Sequence, residues 1–141
     1  DVFKGQGFVG TLDSVTAGAE DLDGLIQSFS QGLIDALDQG GEVHRLWYDI
    51  RSQAMFDTVF QDVVTEIEQA LIDLVGRLLA RIAALSGERP GISEMDAFLL
   101  MDNQFRFHLQ RKLAGDVMAV ENFRMSVNNI FDTYVLNNRV V

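Results

Sequence analysis

Asp102 is the residue whose position most strongly suggests a polar role within an apolar surface. It interrupts a helical stripe that is otherwise formed by Met95, Phe98, Leu99, Phe105 and Leu109. A carboxylate among phenylalanines must be paired, hydrogen-bonded or reached by water, because an unpaired buried charge is very unfavourable. Two interpretations follow. Asp102 either forms an ion pair, with Arg106 one helical turn further on or with Arg51, or it is a polar anchor in an apolar ligand pocket.

A second group combines aromatic rings, a methionine and one guanidinium in a short stretch, and it consists of Trp47, Tyr48, Arg51, Met55 and Phe56. Side chains of these types line many small-molecule sites. The same spacing is also typical of an ordinary helix core, so both interpretations stay open. With 10 phenylalanines and 5 methionines against 2 tyrosines, we expect any cavity in this chain to favour apolar ligands.

The residue types that catalysis and metal binding need are scarce. The sequence has no cysteine, and neither His44 nor His108 follows a glutamate by three positions, as the ligands of di-iron bundles do. The two histidines are too far apart in sequence for the usual globin pair, which leaves a one-histidine haem carrier as a minor alternative. No serine lies in a strained glycine turn, and no phosphate-binding glycine loop is present. We therefore predict that the chain is not an enzyme and has no cofactor or metal.

The net charge of the chain limits the kinds of partner that it can bind directly. Its net charge of −10, from 21 acidic and 11 basic residues, disfavours direct binding to nucleic acid or to an anionic membrane. No apolar run approaches the about 18 residues of a membrane-spanning helix, and we expect a cytoplasmic protein. The length of 141 residues suits one domain, and a single proline favours helices over many strands and turns.

Apolar residues recur at steps of three and four through most of the chain, which is the pattern of amphipathic helices. Together with candidate capping residues, the pattern predicts helices at about 21–38, 42–55, 58–85, 93–112 and 117–136. The second half of residues 1–17 is expected to add another, although glycines weaken it. We predict an all-α bundle of five to six helices with the helix at 58–85 in the centre.

The last two predicted helices carry more apolar side chains than one small bundle is expected to bury. One explanation is a homodimer in which these helices form a four-helix interface. The alternative is a helix that is buried on both sides within one chain. For the homodimer, the predicted interface residues are Met101, Phe107, His108, Phe123, Val127 and Phe131.

The run Leu46-Trp-Tyr-Asp-Ile-Arg-Ser-Gln-Ala-Met-Phe-Asp57 resembles the sixth helix of the effector-binding domain of TetR-family transcriptional regulators. In that family a leucine–aromatic–acidic–leucine–arginine–alanine run often precedes a long helix that opens near Asp-Pro. Here Thr58 stands where proline is common. The long helix, a glycine-proline loop and two closing helices follow in the family's order, so the resemblance covers most of the chain from about Asp21 onward.

The resemblance implies a regulatory domain at 18–141 that binds a ligand and dimerises, with 1–17 as the remnant of a connection to a DNA-binding helix-turn-helix before residue 1. It also implies that a small, largely apolar ligand enters between the helices and shifts the dimer between arrangements that space two DNA-binding heads differently. Helix face and family position together predict a ligand site formed by Trp47, Arg51, Met55, Phe98, Asp102 and Phe105. The alternative function is a helical protein–protein interaction module without a small-molecule ligand.

Overall fold

The computed structural model describes residues 7–136, and every regular element in this range is a helix. The elements are α1 (Phe8–Gly18), α2 (Leu22–Gln39), α3 (Gly41–Ala54), α4 (Thr58–Ser86), α5 (Glu94–Leu113), α6 (Ala119–Asn129) and a π-helical segment (Ile130–Val135). The all-α prediction is thus confirmed for the described residues, and the predicted bounds of α2 to α5 are correct to within a residue. None of the described helices combines the length and the apolar character needed to cross a membrane.

Local hydrogen bonds explain where the long helices begin and end. The Asp57 carboxylate accepts a hydrogen bond from the backbone N–H of Val59 at 2.9 Å and caps α4, as predicted. Ser93 likewise accepts from the N–H of Asp96 at 3.1 Å at the start of α5. Both bonds satisfy N–H groups that have no partner within the first helical turn. Gly87 ends α4 with φ of 76°, a left-handed conformation that glycine adopts without strain.

The long helix α4 packs against α1, α2, α3 and α5, and α2 contacts α1, α3, α4, α5 and α6, so α4 shares with α2 the central position predicted for it. Its buried face includes Leu74, Leu78 and Ile82. The most completely buried side chains of the bundle are Leu12, Leu25, Phe29, Leu37, Leu78, Ile82, Leu109, Phe123, Val127, Phe131 and Val135. Each such side chain contributes about 1.5–3 kcal/mol by leaving water, so packing around α4 holds the helices in place.

Helix α1 belongs to the same core. It packs against α2 and α4, and its Val9, Leu12 and Thr16 are buried. An ion pair between Asp13 and Arg77, with Nε and Oδ1 2.8 Å apart, joins α1 to α4 on the surface. Residues 8–17, expected to be a connecting remnant, are therefore packed into the bundle. Residues 1–6 of that predicted segment lie outside the described residues.

Part of the apolar excess of the last two helices is buried within the chain, whereas Met95, Leu99 and Met125 remain exposed. Five of the six side chains predicted for a dimer interface are at most 8% exposed, namely Met101, His108, Phe123, Val127 and Phe131. These five side chains are buried within the single chain, and their role in a dimer interface stays a prediction. Of the predicted set, Phe107 remains exposed on the surface. The buried residues of α5 are Ala97, Phe98, Met101, Phe105, His108 and Leu109, which lie on one face of the helix. Met95 and Leu99 are 47% and 51% exposed, so α5 is not buried on both sides within the described residues.

The closing helix changes its hydrogen-bond pattern near its end. From Ile130 onward it is a π-helix, and the N–H of Leu136 donates to the carbonyl of Phe131, five residues earlier, at 2.8 Å. The N–H of Gly91 donates to the carbonyl of Val135 at 3.0 Å. This bond attaches the α4–α5 loop to the end of the bundle.

Candidate functional site

A small apolar cavity of about 70 Å³ lies inside the bundle, where α1 to α5 meet. Apolar side chains form most of its wall, among them Phe29, Leu33, Leu71, Leu74 and Val75. The polar residues in its lining are His44, Trp47, Tyr48 and Asp102. An interior that is mostly apolar, with few polar groups, suits a small molecule with little hydrogen-bonding capacity.

Four of the six predicted ligand-binding residues line this cavity: Trp47, Phe98, Asp102 and Phe105. The structure places the other two elsewhere. Arg51 lies on the outer side of Asp102, where it lines the surface grooves. Met55 is 78% exposed and borders the outer groove. Met55 lies one helical turn beyond Arg51 and borders the same outer groove, so this face of α3 points away from the cavity rather than into it.

The structure decides which cation pairs with Asp102. Arg51 donates two parallel hydrogen bonds to it, from Nη1 to Oδ1 at 2.8 Å and from Nη2 to Oδ2 at 3.0 Å. Arg106, the other candidate, instead donates to Asn103 at 2.8 Å and to Gln110 at 2.7 Å. The side chains of Arg51 and Asp102 are 25% and 14% exposed, so this is a partly buried, two-pronged ion pair.

Arg51 connects three helices. Besides Asp102 of α5, its Nε lies 3.4 Å from Oε2 of Glu68 on α4. Its guanidinium carbon is 5.4 Å from the ring centroids of both Trp47 and Tyr48, within the range of a cation–π interaction. Burial alone would lower the pKa of Arg51, but the hydrogen bonds and charge of Asp102, followed by the charge of Glu68, raise it above the ordinary value. The guanidinium is therefore a permanent cation among two carboxylates and two rings.

Tyr48 keeps its proton at this site. Burial, followed by the negative charge of Asp102, raises the pKa of Tyr48 above its ordinary value, against the smaller opposite effects of Arg51 and Arg106. The phenol is thus neutral at physiological pH and can donate a hydrogen bond.

His44 also lines the cavity, although it is not among the predicted ligand-binding residues. Its ring packs edge-on against Phe8 and Phe105, with centroid separations of 5.4 and 4.7 Å. Burial lowers the pKa of His44 to about 4, so the ring is neutral at physiological pH. His44 precedes Trp47 by three residues and Tyr48 by four, and this helical spacing was the signal that could have predicted it on the cavity side of α3. Phe8, also in the lining, comes from the glycine-rich start of the chain, where the helical pattern is weak.

An open groove of about 1100 Å³ runs along the outside of α3, the start of α4 and the end of α5. Tyr48 lines both this groove and the inner cavity. Asp102 lines the inner cavity and a second surface groove, which Arg51 also borders. These three side chains therefore form the layer between the cavity and solvent.

Within residues 7–136, the histidine, aspartate and glutamate side chains form no group of three or more that could hold a metal ion. Comparison of the chain with known protein families, with characterised proteins and with solved structures gives no match.

Proposed function

We propose that this chain is the regulatory domain of a TetR-like transcriptional regulator. It binds a small, largely apolar ligand and acts as a cytoplasmic homodimer that passes the signal to a DNA-binding head outside this chain. In this proposal the chain is not an enzyme and uses no cofactor. The observation that supports it best is the apolar cavity, whose wall contains Trp47, Phe98, Asp102 and Phe105, four of the residues that helix face and family position predict for a ligand site.

The size of the cavity suggests how a ligand could act. At about 70 Å³ it is smaller than the about 150 Å³ cavity that holds benzene in another protein. Protein interiors are close-packed, so a ligand must widen the space by moving a helix. We expect α3 to be the element that moves, because it is tied to α4 and α5 by ion pairs of Arg51 that lie beside the cavity, where a ligand can release them. A ligand that binds the widened arrangement more tightly shifts the population toward it.

Ligand binding is tested with indole and toluene as probes in thermal unfolding. A probe that binds the native state raises its stability by RT ln(1 + [L]/Kd), about 2.7 kcal/mol at 100 times Kd. Leu71→Phe fills the cavity wall and should abolish the stabilisation. Leu85→Phe is the matched control, since Leu85 is on the same helix and packs against the core without lining the cavity. If neither probe stabilises the wild-type chain and no small molecule co-purifies in native mass spectrometry, the proposal is wrong.

The proposed homodimer uses exposed apolar side chains of the last two helices, namely Phe107 on α5, Met118 at the start of α6 and Met125 on α6. Sedimentation velocity at micromolar concentration tests it. Met125→Glu should shift the chain toward the monomer, because a charge would be desolvated at the interface. Val43→Glu is the control, since Val43 is exposed on α3 and belongs neither to these helices nor to the α3–α4 turn. A wild-type chain that sediments as a monomer contradicts the dimer.

One observation favours the alternative, an interaction module. The α3–α4 turn carries three strongly exposed apolar side chains close together in sequence, Met55, Phe56 and Val59. Scattered apolar side chains on a surface are ordinary, whereas a group of them often marks a contact site. The oligomeric state of Phe56→Ser is therefore measured in the same sedimentation experiment. If this substitution abolishes self-association while Met125→Glu does not, the contact surface is the α3–α4 turn.

A further inference from the structure

The surroundings of Arg51 are those of a binding site for an organic cation, and the chain's own guanidinium occupies it. Two carboxylates and two aromatic rings converge on this group, with Asp102 at 2.8 and 3.0 Å, Glu68 at 3.4 Å, and the Trp47 and Tyr48 ring centroids at 5.4 Å. Aromatic faces with a nearby negative charge are a recurring way of holding ammonium and guanidinium groups.

The charge balance of the cluster favours a positive ligand. Without Arg51, the cluster would have two negative charges from Asp102 and Glu68, and the whole chain has a net charge of −10. An anion that approached these carboxylates would be repelled, whereas a cation would replace the charge that Arg51 supplies. A neutral ligand that displaced Arg51 would leave Asp102 buried without a counter-charge.

The cation cluster is continuous with the apolar cavity. Trp47, Tyr48 and Asp102 are part of both, because each also lines the cavity. Arg51 itself is on the outer side, 25% exposed, and borders the surface grooves. Its long, flexible side chain can therefore move into the groove without crossing the bundle.

We propose that the ligand class is a lipophilic organic monocation. Its charged group takes the place of the Arg51 guanidinium between the rings and carboxylates, and its apolar part widens the adjoining cavity. The exchange keeps Asp102 and Glu68 paired while it releases the link from α3 to α4 and α5. This inference rests on the proposed function, because it names the kind of ligand that the cavity senses.

The test compares benzyltrimethylammonium with neopentylbenzene, an uncharged molecule of nearly the same shape. Calorimetry or thermal unfolding gives the affinity of each for the wild-type chain and for two variants. Arg51→Met removes the resident cation and keeps an unbranched side chain, so the ammonium should bind at least about 10-fold more tightly than to wild type. The affinity of the neutral molecule should increase less than that of the ammonium.

Arg106→Met is the matched control. It makes the same change in residue type and in net charge one helical turn from Asp102, but Arg106 bonds to Asn103 and Gln110 instead. Ammonium affinity should therefore stay within about twofold of wild type, which excludes a general effect of the acidic surface. In the double variant Arg51→Met with Asp102→Asn, the affinity for the ammonium should fall toward the affinity for the neutral molecule. Circular dichroism verifies that each variant is folded.

The outcomes separate this inference from the proposed function. If neopentylbenzene binds as tightly as the ammonium to both wild type and Arg51→Met, the cation proposal is wrong while the apolar sensor stands. If neither compound binds any variant, and indole and toluene also fail, both proposals are wrong. If Arg51→Met does not fold, thermal unfolding of the wild-type chain with each compound is the test. Stabilisation by the ammonium but not by its neutral analogue supports the proposal, and stabilisation by the neutral analogue but not by the ammonium overturns it.

Discussion

Asp102→Asn is the substitution that most directly tests the ion pair at the cavity wall. It preserves the shape of the side chain and removes its charge, so the two hydrogen bonds from Arg51, at 2.8 and 3.0 Å, lose their anionic acceptor. Removing one partner from a fully buried pair costs about 3–5 kcal/mol. Here the side chains are 14% and 25% exposed, and Glu68 remains 3.4 Å from Arg51. We therefore expect a loss of about 2 kcal/mol in the free energy of unfolding.

Urea denaturation gives this free energy, and for a chain of this size the melting temperature should fall by about 4–8 °C. A surface pair of the same type supplies the control. Arg77 donates two hydrogen bonds to Asp13, both at 2.8 Å, but the side chains are 49% and 40% exposed. Asp13→Asn should cost no more than about 1 kcal/mol, because water screens the charges and solvates the freed arginine.

The contrast between the two substitutions is the decisive result. If Asp13→Asn destabilises the chain as much as Asp102→Asn does, burial does not set the strength of the inner pair. A double-mutant cycle with Arg51→Met adds a second measurement, since the coupling energy of Arg51 and Asp102 should account for most of the single-variant effect. Additive effects would show that the two residues act independently, contrary to the geometry.

Three further predictions concern the core and the helix ends. Because burial lowers the pKa of His44 to about 4, its neutral form stabilises the native state fully above pH 6.5, and this contribution is lost as the pH falls toward 4. His44→Phe should remove up to about 3 kcal/mol of that pH dependence in urea titrations. Phe123→Ala should cost about 3–5 kcal/mol in the same assay, and the exposed Met125→Ala less than about 0.5 kcal/mol. Gly87→Ala, at a φ of 76°, should cost about 1–2 kcal/mol, whereas Gly18→Ala meets open space at the end of α1 and should not destabilise.

Each of these predictions has a result that contradicts it. An identical pH dependence in wild type and His44→Phe would show that the ring is accessible to protons in the native state. A small effect of Phe123→Ala would mean that this side chain does not contribute to the core as its burial indicates. Equal effects of the two glycine substitutions would show that the left-handed conformation at the end of α4 is not important for stability.

The fold could largely be predicted from the sequence because its signals are local. Helical periodicity and capping depend on residues within about four positions of each other, and that range sufficed for the bounds of α2 to α5 and for the Asp57 cap. The sequence also determined that the Asp102 carboxylate needed a partner or water, since the apolar residues around it are set by helix phase alone.

Which partner Asp102 takes was decided only by the tertiary structure. Arg106 is four residues away and Arg51 is 51 residues away, and the packing of both α3 and α5 against α4 brings the distant residue into contact. The same holds for the interface prediction. Apolar excess on a helix is readable from the sequence, but whether Phe123 meets this chain or a second copy depends on the arrangement of neighbouring helices. Side-chain direction follows from local geometry, whereas the surface that a side chain meets follows from how helices pack.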